Sequence, residues 1–431
     1  MTRTAAALAP PGLLRIGDLL AYGALAVPLA FAALPLYVHV PKLYVDTVGL
    51  SLSLVGAVLL AARLGDAVAD PLFGLWSDRL QRRRGLTLIA LPLLVLGMFG
   101  LLRPPEGAGV AWLAAMLVLA YTGYSLSSVN YYAWGAEAGA SSAGRTGLTA
   151  AREGCALLGV VLASALPELL APTQAQGLER MLWIFVPLVL VSAWLAARYA
   201  PAPRPLRPVR SGASMFQQGL IPLRDRPVLA LLAVYALNGI AAAIPATIFL
   251  FFVADVLDRE RLSGLFLAAY FVSGAAALPL WVKLAGRTGK VRAWLLSMCV
   301  AGLAFGWAVS LGEGDVAAFF AICVLSGIAL GADITFPPAL LADALAQPSR
   351  ASAGGVYFGW WNLVTKLNLA LAAGIALPLL DLLGYQPGVR DAAALSALAI
   401  VYAIAPIILK AFAALLLWRV QARIETDGVS R

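Results

Sequence analysis

Residues 63–85 read "RLGDAVADPLFGLWSDRLQRRRG". Arg63, Asp66 and Asp70 stand inside a run that otherwise has the composition of a membrane-crossing helix, and the chain then turns basic at Arg79, Arg82, Arg83 and Arg84. At about 100° per residue, positions 63, 66 and 70 fall in one narrow helical stripe, and Asp66 lies roughly 18 Å into the helix. A charge near the bilayer centre costs at least about 2.5–3.5 kcal/mol on insertion scales. The stripe must therefore face protein or a water-filled cavity. Two close carboxylates resist joint ionisation where the dielectric constant is low, and a bound Na⁺ or a shared proton relieves them. Arg63 can neutralise one of the pair. A simple ion-pair staple leaves the second aspartate without a purpose; a coupling-ion site uses both.

The rest of the chain supplies the setting. It is 61% hydrophobic and 12% charged, with a mean hydropathy of +0.87. Apolar runs of about 20 residues, enough to cross a bilayer, recur throughout. The sequence therefore reads as an all-α polytopic membrane protein with twelve transmembrane helices. A Pro- and Arg-rich connector at 199–226 separates a six-helix bundle at 1–198 from a second at 227–431. The net charge of +9 does not point to nucleic acid, because the basic residues lie in short loops. With the N-terminus inside, 21 Lys and Arg fall in cytoplasmic segments, Arg204, Arg207 and Arg210 among them. Six, including Lys42 and Arg390, fall in external ones. That bias is positive-inside and places both termini in the cytoplasm of a multi-pass protein of the plasma (inner) membrane. Cys155, Cys299 and Cys323 lie in apolar segments and form no disulfide or metal pattern. No nucleophile–base pair, metal-ligand spacing or phosphate loop occurs, so neither an enzyme nor a cofactor is expected.

An internal repeat is visible. "PLFGLWSDRLQRRRG" from Pro71 matches "PLWVKLAGRTGKVRA" from Pro279, aligning Arg79 with Arg287 and Arg82 with Lys290. Such duplication is typical of transporters. The aspartates break it: Gly274 and Leu278 stand where the first half has Asp66 and Asp70. An asymmetric carboxylate pair suits a task done once.

"GLWSDRLQRR" resembles the G-x-x-x-D-R-x-x-R-R loop of the major facilitator superfamily. The longer "DAVADPLFGLWSDR" is similar to the signature of the glycoside–pentoside–hexuronide:cation symporters, the family of melibiose permease. "RTGLTAAR", "PPALLAD" and "GGVYFGWWNLVTKLNLALA" agree with it along the chain. The resemblance implies a cation site at Asp66 and Asp70 with Ser125 and Ser128, holding H⁺ or Na⁺. It implies a gate of Asp78, Arg79 and Arg82 with Arg287 and Lys290. It also implies a cavity lined by Arg152 and Lys366, to which Asp333, Tyr124, Tyr357 and Trp361 are added as candidates.

The departures shape the substrate expectation. Span one carries no charge from Leu19 to Tyr37, Ser128 replaces the family's helix-four acid, and Ala69 stands where sodium users often carry Asn. The last of these, Ala69, favours H⁺ over Na⁺, and the first two put conventional sugar binding in doubt. With Arg152 and Lys366 kept, they also favour a sugar acid or other acceptor-rich solute over a neutral disaccharide. Asp333 precedes a double proline expected to break span ten, discontinuous helices being typical of transport sites; pairing with Lys366 is the other reading, and the two are compatible. Glu153, adjacent to Arg152, is expected to point away from it. The function expected is cation-coupled symport of a small organic solute by a monomer in contact only with solute and lipid. The alternatives are a carrier of an anionic amphiphile such as a lysolipid, and a membrane sensor built on a transporter fold.

Overall fold

In the computed structural model, residues 14–426 are described except 47, 172–173, 205–214, 387 and 389–390. Arg207, Arg210 and Arg390 of the charge count lie outside these. Among the described residues all regular structure is helical.

Span one is built from the pieces Ile16–Gly23, Ala26–Leu34 and Val40–Asp46, with a π-helical turn at Pro35–His39. The turn begins at a proline, whose missing N–H removes a ladder bond. Spans two to six are Leu52–Leu80, Arg83–Leu102, Val110–Ala138, Ser142–Leu170 and Gln174–Tyr199. The connector carries two short helices, Met215–Gly219 and Ile221–Arg224. Span seven is Arg226–Phe251, prolonged by a π turn at Phe252–Val256. Spans eight to twelve are Ser263–Thr288, Lys290–Trp307, Val316–Ala344, Gly354–Leu382 and Ala392–Thr426. Eleven of the described helices are long and apolar enough to cross a membrane. Span two is the twelfth, 29 residues long and set apart by its charges.

Span ten corrects an expectation. It runs through Pro337 and Pro338 as one 29-residue helix. A proline frees the carbonyl four residues back, here those of Asp333 and Ile334. Packing on neighbouring spans carries the helix through the gap.

Three apolar cores hold the bundle. One lies within spans one to six, around Tyr22, Phe31, Leu94 and Phe185. One lies within spans seven to twelve, around Phe252, Phe319 and Tyr402. The third mixes the halves, joining Leu75 and Ala133 to Trp294, Phe336 and Trp361. It sits toward the end of the bundle that carries the connector, called here the linker end.

Glycine makes that junction close. A Cβ on Gly74 would lie 2.1 Å from the Gly355 carbonyl, and one on Gly359 would lie 2.5 Å from that of Asp70. Spans two and eleven thus meet backbone to backbone, as small residues permit. Farther along span eleven, Leu367, Leu369, Ala370 and Leu371 are all exposed. The opposite side of the helix stays packed, with Asn368, Ala372 and Ala376 buried. The closest backbone contacts between the halves among the described residues, at Gly74, Gly355 and Gly359, lie toward the linker end.

Candidate functional site

Span two places Asp66 and Asp70 on its inner face, both buried. Span eleven brings Lys366 against them. Its ammonium lies 2.6 Å from Asp66 Oδ2 and 2.6 Å from Asp70 Oδ2. Span four supplies Ser125, which donates to Asp66 Oδ1 at 2.5 Å and accepts from Lys366 Nζ at 2.8 Å. Ser128 donates to the Ser125 carbonyl at 3.2 Å and accepts from Asn362 Nδ2 at 2.8 Å. Asp70 Oδ1 is enclosed and has no hydrogen-bond donor among the described residues. Two carboxylates and one ammonium leave the cluster one positive charge short. That deficit is costly at low dielectric and is relieved by taking up one cation or one proton.

Lys366, and not Arg63, is the bridging cation. Arg63 sits against Tyr121 on span four. The stripe of positions 63, 66 and 70 gives a shared direction. The ammonium nevertheless reaches the aspartates from a helix some three hundred residues away, and its arrival ties the two halves together.

At the linker end, Asp78 accepts from the backbone N–H of Gly355 at 2.7 Å and of Val356 at 2.8 Å. A carboxylate on span two thereby caps the positive N-terminus of span eleven. Arg83 pairs with Asp78 and, at 2.8 Å, with Glu137. The second half repeats the theme with different residues. Asp343, ending span ten, takes Arg145 Nε at 2.7 Å, Lys290 Nζ at 2.5 Å and Ser142 Oγ at 2.8 Å. Asp78 and Lys290 of the expected gate group therefore take part in ion pairs between helices at the linker end, whereas Arg79, Arg82 and Arg287 are exposed and Arg83 makes the pair with Asp78.

The turn explains the change. Span two ends at Gln81 with φ 49°, in the left-handed region. There its side chain donates to the carbonyls of Asp78 at 2.7 Å and Ser352 at 2.9 Å. These bonds offset a left-handed cost of about 1–2 kcal/mol, and the reversal carries Arg83 inward. The run of three arginines holds no local signal for which one enters. The roles of Glu137 and Asp343 were missed for the same reason: each is defined by a partner on another span.

The cavity candidates divide. Arg152 donates to Glu153 Oε1 from Nε at 3.0 Å and Nη2 at 2.6 Å, contrary to the expectation that these neighbours diverge. The long guanidinium folds back because it lies over the Tyr132 ring, 3.6 Å from its centroid. Asp333 pairs with Lys410 at 2.6 Å, not with Lys366, and accepts from Trp294 Nε1 at 2.9 Å. Lys410 also donates to Asn238 at 2.8 Å. This cluster lies wholly within the second half. Tyr357 is at the linker end, donating to Asp225 Oδ2 at 2.7 Å beside the Arg350–Asp225 pair. Trp361 stacks on Tyr235 with centroids 3.7 Å apart, and Tyr235 bonds Thr365 at 2.8 Å. Tyr124 is half-buried against the first-half core.

Twelve spans in two halves, a charged cluster between them at mid-membrane and close backbone contact at one end define a membrane transporter of the alternating-access kind. Residues 19–422 match the family described as MFS/sugar transport protein, and the chain belongs to that family. It is a transporter of the sugar type and not an enzyme. No curated protein matches its sequence. Among solved structures, a bacterial homologue of the iron transporter ferroportin in an outward-facing state aligns at TM-score 0.70 and 18% identity, covering 95% of this chain and 100% of that one. The E. coli fucose:proton symporter aligns at 0.64 and 15%, covering 92% and 97%. The proton:xylose symporter bound to 6-bromo-6-deoxy-D-glucose aligns at 0.63 and 16%, covering 94% of each chain. At these identities the likeness is one of fold.

Proposed function

We propose that this transporter couples solute movement to protons through Asp66, Asp70 and Lys366. The observation that carries the proposal is the single ammonium shared by two carboxylates across the halves. Lys366 occupies the position between the aspartates where a sodium ion would need to sit, and no group of three or more His, Cys, Asp or Glu that could hold a metal occurs among the described residues. A proton on Asp70 makes up the missing charge. Lys366 then pairs with Asp66 alone, and the link from span two to span eleven loosens. Loss of net charge lowers the cost of moving the site through the hydrocarbon region. Proton symport in two structural neighbours, the fucose and xylose carriers, supports the same reading.

The positive-inside count makes the linker end cytoplasmic, in a plasma (inner) membrane. The close contacts between the halves at that end then favour an outward-facing carrier. The cargo is a small organic solute of the sugar type. Pairing of Arg152 and Lys366 with protein carboxylates supports a neutral solute over the anionic one expected from those two cations.

The test uses purified protein in proteoliposomes with an imposed pH gradient and a panel of labelled sugars. Accumulation should follow the inward proton gradient, and adding Na⁺ at fixed pH and membrane potential should not raise it. Sodium-driven accumulation without a proton gradient would overturn the assignment of the ion.

A further inference from the structure

Deep in span five, Glu153 lies about 17 Å from the helix start at Ser142. That is mid-membrane. Its side chain is 15% exposed. Both bonds from Arg152 go to one oxygen, Oε1. The other oxygen, Oε2, receives no hydrogen bond from the described residues, yet it is not among the enclosed unpartnered atoms. A half-free carboxylate at this depth must look into water rather than lipid. Its surroundings agree. The guanidinium beside it rests on Tyr132 of span four, and Tyr22 of span one and Tyr235 of span seven lie within electrostatic reach of both charges. Tyr235 bonds Thr365, the neighbour of Lys366. Charged and aromatic side chains of both halves thus lie within electrostatic reach of Glu153.

We propose that Glu153 sets the charge selectivity of the solute site, accepting a hydrogen bond from a solute hydroxyl or ammonium on Oε2 and turning away solutes that carry a carboxylate. This rests on the sugar-type reading above. The physical basis is the balance of charge. Arg152 is spent on Glu153 and Lys366 on two aspartates, so both of these cations are already paired. A solute carboxylate brought there meets a fixed one at low dielectric and is repelled. A hydroxyl gains a charge-assisted bond, about twice as strong as a neutral one.

Calorimetry on the purified full chain in detergent tests this with two probes that differ only at C6, 4-nitrophenyl β-D-glucoside and 4-nitrophenyl β-D-glucuronide. The unsubstituted protein should bind the glucoside at least about tenfold more tightly, the scale of one hydrogen bond to a charged group. Glu153→Gln should weaken the glucoside about tenfold and leave the glucuronide unchanged or improved, so that the preference collapses. Glu153→Asp keeps the charge and should keep the preference. Equal weakening of both probes by Glu153→Gln would make Glu153 only a support for Arg152, and a native preference for the glucuronide would reverse the assignment; either overturns the proposal. No binding of either probe overturns it together with the sugar-type reading. No ion gradient enters the measurement, so an error in the coupling ion does not affect it.

Discussion

Two ammonium groups inside the bundle, the half-buried Lys366 and the buried Lys410, invite comparison. Lys410 has one carboxylate, Asp333, whose oxygens accept from Lys410 and from Trp294, and every member of the cluster belongs to the second half. Lys366 has two carboxylates, both on the opposite half, and leaves Asp70 Oδ1 without a donor. The first arrangement is complete and can stay as it is through a transport cycle. The second shares one ammonium between two carboxylates and joins span eleven to span two, so under the proposed function its occupancy and the relative position of the halves are coupled. Similar chemistry becomes a staple or a switch according to stoichiometry and to the side on which the partners sit.

Substitution can break that contrast. Asp66→Asn or Asp70→Asn should abolish gradient-driven accumulation in proteoliposomes while membrane insertion persists; full accumulation in either would remove the switch. Asp333→Asn should act on stability instead, because leaving a buried ammonium unpaired costs on the order of 3–5 kcal/mol. A lowered thermal midpoint with uptake per folded molecule unchanged is the expected result, and loss of coupling in the folded fraction would make the two clusters alike.

A smaller effect concerns the linker end. Asp78→Asn removes a charge that holds two backbone N–H groups and Arg83 across the halves, each such bond being worth about 1.5–3 kcal/mol. The carrier should shift toward the state open at the linker end. In a chain cleared of its three native cysteines, labelling of a cysteine placed at Gly56 from the far side should fall; a rise would contradict the gate.

At the connector the expected change is smaller again. Tyr357→Phe removes one neutral donor from Asp225 while the Arg350 pair remains, and the loss should be about 1 kcal/mol in thermal stability. Least of all, Arg103→Ala disrupts a pair with Glu179 whose side chains are 54% and 43% exposed. Its effect on the unfolding midpoint should be close to zero, which makes it the control for the others.

The amino-acid sequence by itself determined the twelve spans, the two halves, the buried aspartate pair on span two and the place of Asp78 near the end of that span. Each of these is local. A span is a length of apolar chain, a stripe is a spacing on one helix, and Asp78 is marked by the motif around it. Only the tertiary structure decided which charges meet. Lys366 displaced Arg63 as partner of Asp66 and Asp70, Lys410 displaced Lys366 as partner of Asp333, Arg83 paired with Asp78 in place of Arg79 and Arg82, and Arg152 turned back onto Glu153. Helical periodicity tells a side chain's direction but not what stands opposite. In a low-dielectric interior each buried charge takes the counter-charge that the packed helices bring within 3 Å, whatever its distance along the chain.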